Sequence, residues 1–354
     1  MKLDEQRLAD LEVVRRTTVT SPLVRLAEPV GRGNTVWLKL ESAQVVRSFK
    51  IRGATYALSR HAQELRRRGV GVVADSGGNH SQALAFAGAR LGVPVRIVMA
   101  SVVPENKKRA TQSFGAIDGS FHLDTSPADF VSAKARAKAA AEREGWHYLS
   151  PYDDEDIIRG AGTLVPEIIQ QLDELGAARP DTVHVPVGGG GLISGIADVN
   201  SEHGRLFALY GHEIVDADSA ARSFHSPEPV PVPGEPNRYA EGLAVKVMGE
   251  RPHQRLKDGR VDRIYVVDLA AVGQAYEWYS GVVLPQLGFD LHDPDQVRQH
   301  LPEVSSMVAV AGLCEHLRQV RAENQTHLVV VSGGNTDHEN VRAAVEAHRA
   351  GAAR

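Results

Sequence analysis

Short runs of aliphatic and β-branched residues alternate with helical stretches along most of this chain, and that alternation limits what it can fold into. The runs are Gly71–Ala74, Val95–Met99, Thr182–Val187, Leu206–Leu209, Ile264–Val267 and Leu328–Val331. Continuous apolar strands belong to sheets covered on both faces, so the pattern predicts an α/β fold with mostly parallel sheets. Between the runs, Gln82–Leu91 carries alanine and leucine at helical spacing and stops at Gly92, with Pro94 beyond. Asp156–Leu175 behaves alike and ends at Gly176. Ser226–Asn237, with five prolines, predicts a long loop, Gly281–Pro302 a second irregular region, and Ala352–Arg354 a frayed end.

At 354 residues and 42% hydrophobic, the chain can build one large domain or two packed ones. The formal net charge is −4 and like charges form no long block, which argues against nucleic acid or an anionic membrane and for a small-molecule partner. The polar start, Met1-Lys-Leu-Asp-Glu-Gln6, and the lack of a long apolar run predict a soluble, cytoplasmic protein. One cysteine, Cys314, excludes a disulfide framework and sits in what reads as a buried helix. Histidines such as His61, His212, His253 and His300 show no metal-ligand spacing, and no Ser-His-Asp arrangement is visible.

The strongest local signal is Val183-His-Val-Pro-Val187, then Gly188-Gly189-Gly190-Gly191, then Leu192-Ile-Ser-Gly-Ile196. A strand, a glycine turn and a helix start aim successive backbone N–H groups and the positive helix end at one point, a cradle for phosphate or carboxylate. The bland alternative is a tight turn that needs positive φ. Neither the Gly-Lys-Ser/Thr of nucleotide loops nor the dinucleotide spacing follows, so a group smaller than a nucleotide is implied. Ser76-Gly77-Gly78-Asn79-His80 and Ser332-Gly333-Gly334-Asn335 are two further loops after strands. Three such loops fit a ligand collected at the carboxyl ends of parallel strands.

Trp37–Glu41 reads as a strand, and Ser48-Phe-Lys-Ile-Arg-Gly-Ala54 leads from it into a helix. A lysine among apolar neighbours has its ammonium form disfavoured, which makes an amine available for Schiff-base chemistry. Together with Thr20-Ser-Pro-Leu23, Leu40-Glu-Ser-Ala-Gln44, the three glycine loops and Ala240-Glu-Gly-Leu-Ala-Val245, this segment resembles the fold-type II pyridoxal-phosphate family. Within it, the likeness is to the serine/threonine dehydratase and serine racemase branch. The segments follow family order over nearly the whole chain.

The resemblance implies pyridoxal 5′-phosphate as cofactor, with Lys50 as its Schiff-base lysine and general base. It implies Phe49 and Asn79 against the cofactor ring, and Gly188 to Gly191 with Leu192 on its phosphate. Gly242 joins the cofactor site, Glu303 lies near the ring, and Ser332 faces the pyridine nitrogen. Ser76, Gly77, Asn79 and His80 would bind the substrate carboxylate. A neutral Ser332 hydroxyl suits prompt β-elimination from a small 3-hydroxy amino acid, giving a 2-oxo acid and ammonia. A β-replacement synthase is the rival reading, followed by a serine racemase or a binding protein that has lost turnover.

Several positions depart from the family's usual pattern. Racemases carry a serine where this chain has Gly77, which cannot reprotonate the opposite face. Arg47 stands where relatives have a small residue and, as a hypothesis, favours a substrate with an acidic side chain. The family's cation site maps to Glu213, the carbonyl of Ala217 and Ser219, a poor set for a hard cation. By the same resemblance, residues 1–54 and 150–354 form a large cofactor-binding domain, residues 55–149 a small mobile one, and the chain a homodimer. Residues 278–300 have no counterpart whose role can be assigned.

Overall fold

The computed structural model describes residues 4–28, 30–115 and 120–352, so Ala353 and Arg354 of the expected frayed end lie outside the described residues. Its strands are β1 (Leu23–Arg25), β2 (Thr35–Leu40), β3 (Val72–Asp75), β4 (Val95–Val98), β5 (Phe121–Asp124), β6 (His147–Tyr148), β7 (Thr182–Pro186), β8 (Ala208–Ile214), β9 (Arg263–Val267) and β10 (Thr326–Val331). They form a six-stranded sheet in the order β1-β2-β10-β7-β8-β9 and a four-stranded sheet in the order β5-β4-β3-β6. All pairings are parallel except that of β1 with β2. The α/β fold with mostly parallel sheets is as expected.

The strands are apolar throughout because both faces of the large sheet are covered. In β10, Leu328 and Val330 pack with Trp37, Val183 and Val185 on one face, while Val329 and Val331 join Leu38 and Leu40 on the other. Helices Leu164–Glu174 and Gly191–Glu202 cover the first face, and Val304–Val320 covers the second. The small sheet has its own core, in which Val72, Val73, Ile97 and Val98 meet Ile51, Leu58, Leu84 and Ala137. Its strands all fall between residues 72 and 148.

Three expectations need correction. The stretch 156–175 is two helices, Glu155–Gly162 and Leu164–Glu174, broken at Thr163. Pro166 has no N–H to continue the ladder, and the Thr163 hydroxyl bonds back to the Gly160 carbonyl at 2.7 Å. The strand expected at Leu206–Leu209 runs instead from Ala208 to Ile214, since Gly211 is packed between Ile264, Val187 and Ile193 rather than forming a turn. The 281–302 region is more regular than its composition suggests: a π-turn at Tyr279–Val283 continues into Leu284–Gln286, and Pro294–His300 is a helix capped by Asp293. Ser226–Asn237 is irregular as expected, and Cys314 lies on helix Val304–Val320.

A fully buried charge quartet fixes the start of helix Lys50–Arg68. Arg52 grips Glu41 with two bonds of 2.8 Å and Glu167 with bonds of 2.7 and 3.1 Å, while Lys39 Nζ reaches Glu167 at 2.7 Å. Burial opposes the Glu167 carboxylate, but the charges of Arg52 and Lys39 outweigh it and bring its pKa down to about 2. Two cations and two anions thus cancel in the interior, which ties β2 and helix Leu164–Glu174 to the turn that presents Lys50.

Candidate active site

Lys50 opens its helix directly after Ser48 and Phe49, which are stitched to the loop beyond β10. Ser48 bridges Gly333, and the Phe49 amide donates to the Ser332 carbonyl at 3.0 Å. The Lys50 ammonium donates to the Pro151 carbonyl at 2.7 Å and lies 5.2 Å from the Phe49 ring. Burial brings its pKa down to about 8, with the Glu303 charge working the other way. The direction agrees with the sequence expectation.

Next to Pro151, the Tyr152 ring lies flat on the glycine turn. A β-carbon on Gly189 would stand 2.1 Å from Tyr152 Cγ, and one on Gly191 would stand 3.0 Å from its Cα. Gly190, with φ of 91°, is the residue before helix Gly191–Glu202, in the left-handed region that favours glycine. The amides of the turn therefore sit at the positive end of helix Gly191–Glu202. Gly188 packs on the backbone of Gly242 and Leu243, and the Gly242 amide donates to Ser305 Oγ at 2.8 Å. Leu192 is buried beneath the turn.

The remaining residues close the circle. Glu303 is the last residue before helix Val304–Val320, and its carboxylate lies against Gly242 and Gly333. Asn79 Nδ2 donates to both Glu303 oxygens at 3.0 Å, and Asn79 Oδ1 accepts from Asn335 at 2.7 Å. Burial pushes Glu303 above the ordinary carboxylate range, against the Asn79 bonds and the charges of Lys107, Lys50 and Arg47. Ser332 Oγ is 3.0 Å from Ser306 Oγ, so two neutral hydroxyls pair where the resemblance puts the ring nitrogen.

On the substrate side, Ser76 Oγ accepts from the Gly78 amide at 3.3 Å, which shapes the loop ahead of helix Asn79–Leu91. His80 is buried, neither ring nitrogen has a well-formed hydrogen bond, and burial together with the Lys50 charge brings its pKa down to about 3. It is neutral at working pH. Gly77 faces Val103, whose Cγ2 would be 2.6 Å from an added β-carbon. Arg47, at φ of 54°, donates to the carbonyls of Gly334 at 2.8 Å and Gln299 at 2.7 Å. It lines a cleft of about 280 Å³ with Gln82, Asn106, Lys107, Asn335 and Asp337.

Hydrogen bonds and packing thus link Phe49 to Ser332, Asn79 to Glu303, Glu303 to Gly242, Gly242 to the glycine turn and, through Pro151 and Tyr152, the turn to Lys50. Ser76, Gly77 and His80 flank Asn79 in the chain, and Arg47 bonds Gly334. The three groups of the suggested cation site lie elsewhere and are otherwise engaged. Both Glu213 oxygens accept backbone amides, from Ala220 at 2.9 Å and Ala221 at 2.7 Å, and Ser219 Oγ donates to the Val230 carbonyl and accepts from the Met248 amide. Ala217 bridges back to Ile214. Burial pushes Glu213 up to about 8, against the bonds from the Ala220 and Ala221 amides. Pro151, Tyr152, Val103 and Ser306 were missed in the sequence. They contribute a carbonyl, a ring, a methyl and a hydroxyl, none of which marks a motif.

The family model for pyridoxal-phosphate dependent enzymes matches residues 14–334. The chain belongs to that family. It is 32% identical over 303 residues to the L-threonine dehydratase biosynthetic IlvA of Lactococcus lactis, an alignment that covers 85% of this chain and 67% of that protein. Against the enzyme of the same name from Salmonella typhimurium it is 33% identical over 325 residues, covering 91% and 57%. Among solved structures, the processed form of threonine deaminase isoform 2 from Solanum lycopersicum superposes with a TM-score of 0.80 at 30% identity, covering 97% of this chain and 92% of that one. Maize serine racemase superposes with 0.79 at 25% identity over the full length of both chains. The chain spans about half to two thirds of the length of the curated relatives it matches.

As a member of this family, the chain uses pyridoxal phosphate, and the residues present fit that cofactor. The glycine turn offers a phosphate backbone amides at the start of a helix, and its close packing on Leu243, Tyr152 and Pro252 leaves no room for β-carbons. Lys50 supplies an amine of lowered pKa and is joined to the turn through Pro151 and Tyr152.

Proposed function

We propose that this chain catalyses β-elimination from a small 3-hydroxy amino acid, such as serine, threonine or an acidic analogue, releasing a 2-oxo acid and ammonia. Lys50 would hold the cofactor at rest and Gly188 to Gly191 its phosphate, and once bound it would supply an electron sink next to the substrate α-carbon. Ser76, Asn79 and His80 orient the substrate carboxylate. Lys50 Nζ, freed when the substrate amine displaces it, takes the α-proton as the Cα–H bond breaks; the Cβ–O bond breaks, a C=C bond forms, and the proton passes from Lys50 to the departing hydroxyl, which leaves as water. The resulting enamine hydrolyses to the 2-oxo acid and ammonia. Ser332 and Ser306 hold neutral hydroxyls at the ring nitrogen, which favours prompt departure of the substituent over longer-lived carbanion chemistry.

The observation that carries this reading is one basic amine, Lys50, together with Val103 closing the space beside Gly77, the position that the resemblance sets opposite it. A single base suits elimination, whereas racemisation needs a second. The names of the relatives point the same way. Arg47 and Lys107 on the adjoining cleft support a polar or acidic substrate side chain. The division of strands between the two sheets supports a small domain, residues 55–149, that closes on a large one, residues 1–54 and 150–354. A homodimer rests on the resemblance alone, and a cytoplasmic setting on the polar N-terminal segment and the lack of a long apolar run.

The test is release of ammonia and 2-oxo acid from L-serine, L-threonine, hydroxyaspartate and phosphoserine, with the visible spectrum followed throughout. Equimolar release of both products from at least one substrate is expected. A cofactor-loaded protein that releases neither from any of the four, or that forms product only when a second nucleophile is added, sinks the reading.

A further inference from the structure

Apart from the side chains used in the proposed reaction, four histidines meet in the interior. His184 on β7, His212 on β8 and His327 on β10 share the face covered by helix Val304–Val320, which contributes His316. All four are buried, and donor atoms of His184, His316 and His327 lie within 4.8 Å of one another.

The hydrogen bonds divide these rings into a remote side and a convergent side. His184 Nδ1 pairs with His212 Nε2 at 2.9 Å, His316 Nδ1 with the Tyr265 hydroxyl at 2.9 Å, and His327 Nδ1 with Thr182 Oγ1 at 2.7 Å. Each Nδ1 is thereby held, which leaves Nε2 of each ring as the free lone pair. His316 Nε2 and His327 Nε2 are buried without a partner, and His184 Nε2 has only the Thr182 hydroxyl at 2.9 Å. Three imidazoles, each oriented through its remote nitrogen, are the arrangement that metal-binding histidines adopt. A neutral hydrogen-bonded cluster would satisfy its buried nitrogens, and this one does not.

We propose that His184, His316 and His327 bind one Zn²⁺ ion through their Nε2 atoms, as a structural site that ties β7, β10 and helix Val304–Val320 together. Zn–N bonds of about 2.0–2.1 Å put ligand nitrogens about 3.4 Å apart, so the rings close in slightly on the ion. Thr182 Oγ1 releases His184 Nε2 and keeps its bond to His327 Nδ1, and water fills the fourth position.

Two exposed carboxylates, Asp4 and Glu202, with the buried His203 are the other group of described residues able to hold an ion, and the experiment separates the two. Tag-free holoenzyme is dialysed and its zinc measured against protein, and Co²⁺ is then titrated in as a spectroscopic substitute. The expected result is close to one equivalent of zinc, and visible ligand-field absorption of tetrahedral intensity with Co²⁺. Both are retained in His203→Gln and lost in His316→Gln and His327→Gln. A chelator should lower the thermal midpoint of the wild type but not of His316→Gln. Wild-type protein that binds neither ion stoichiometrically overturns the proposal even if the variants fail to fold. So does metal that is lost with His203 and kept without His316.

Discussion

Cγ2 of Val103 stands 2.6 Å from the point where a β-carbon on Gly77 would be. The position that racemases of this branch use for a second base is therefore filled by a neighbour as well as lacking a side chain. Gly77→Ser should lower turnover about tenfold or more, since overpacking costs about 1–3 kcal/mol, and should yield no D-enantiomer. Adding Val103→Ala should restore much of the rate. Chiral chromatography of recovered substrate, alongside 2-oxo acid assays, checks both; D-serine from the single variant would contradict a blocked face.

Lys50 should govern cofactor capture in a pH-dependent way. Its lowered pKa of about 8 means the neutral amine predominates above that pH, whereas an ordinary lysine needs pH above about 10.4. Capture of pyridoxal phosphate, followed by absorbance and by borohydride trapping at Lys50, should accelerate up to about pH 8 and then level off. Lys50→Ala should abolish trapping and reduce turnover at least about a thousandfold.

The contact between Gly189 and Tyr152 predicts a rescue. Gly189→Ala drives a methyl into the Tyr152 ring, and overpacking of about 1–3 kcal/mol should weaken cofactor affinity roughly 5- to 150-fold. Tyr152→Ala in the same background should recover part of that loss. Fluorescence titration with pyridoxal phosphate measures each corner of the cycle, and simple additivity of the two changes would show that the ring and the turn are not coupled.

Glu167→Gln should destabilise the protein by about 3–5 kcal/mol in urea unfolding, because Arg52 and Lys39 are left with one buried carboxylate between them. The wild-type carboxylate has its folded pKa depressed from 4.5 to about 2. Its contribution is therefore present above pH 4.5 and is lost as the pH falls toward 2. The amide of the Glu167→Gln variant has no such titration, so the stability gap between wild type and variant should narrow over that interval.

The sequence was most legible where function needs chemistry that side chains or glycines announce locally. Lys50, the Gly188–Gly191 turn, Asn79 and Ser332 each sit in a short motif at a strand end, and all converge. The alternation of apolar runs gave the fold class because both faces of the sheet are buried. What stayed hidden depends on parallel crossovers. His184, His212, His316 and His327 come from three strands and a helix spread over more than a hundred residues, so no spacing rule could join them. The charge quartet left one trace, a lysine inside the apolar strand Trp37-Leu-Lys-Leu40, but its partners Glu41, Arg52 and Glu167 could not be paired from spacing. The break at Thr163 was missed because the helical periodicity continues across it.

The quartet also restricts how this lineage can change. Lys39, Glu41, Arg52 and Glu167 cancel only as a set, so a single substitution at any one strands a charge away from water. Divergence at these four positions must proceed by concerted or compensated replacements, and descendants should inherit the foursome intact or have exchanged it wholesale for apolar residues.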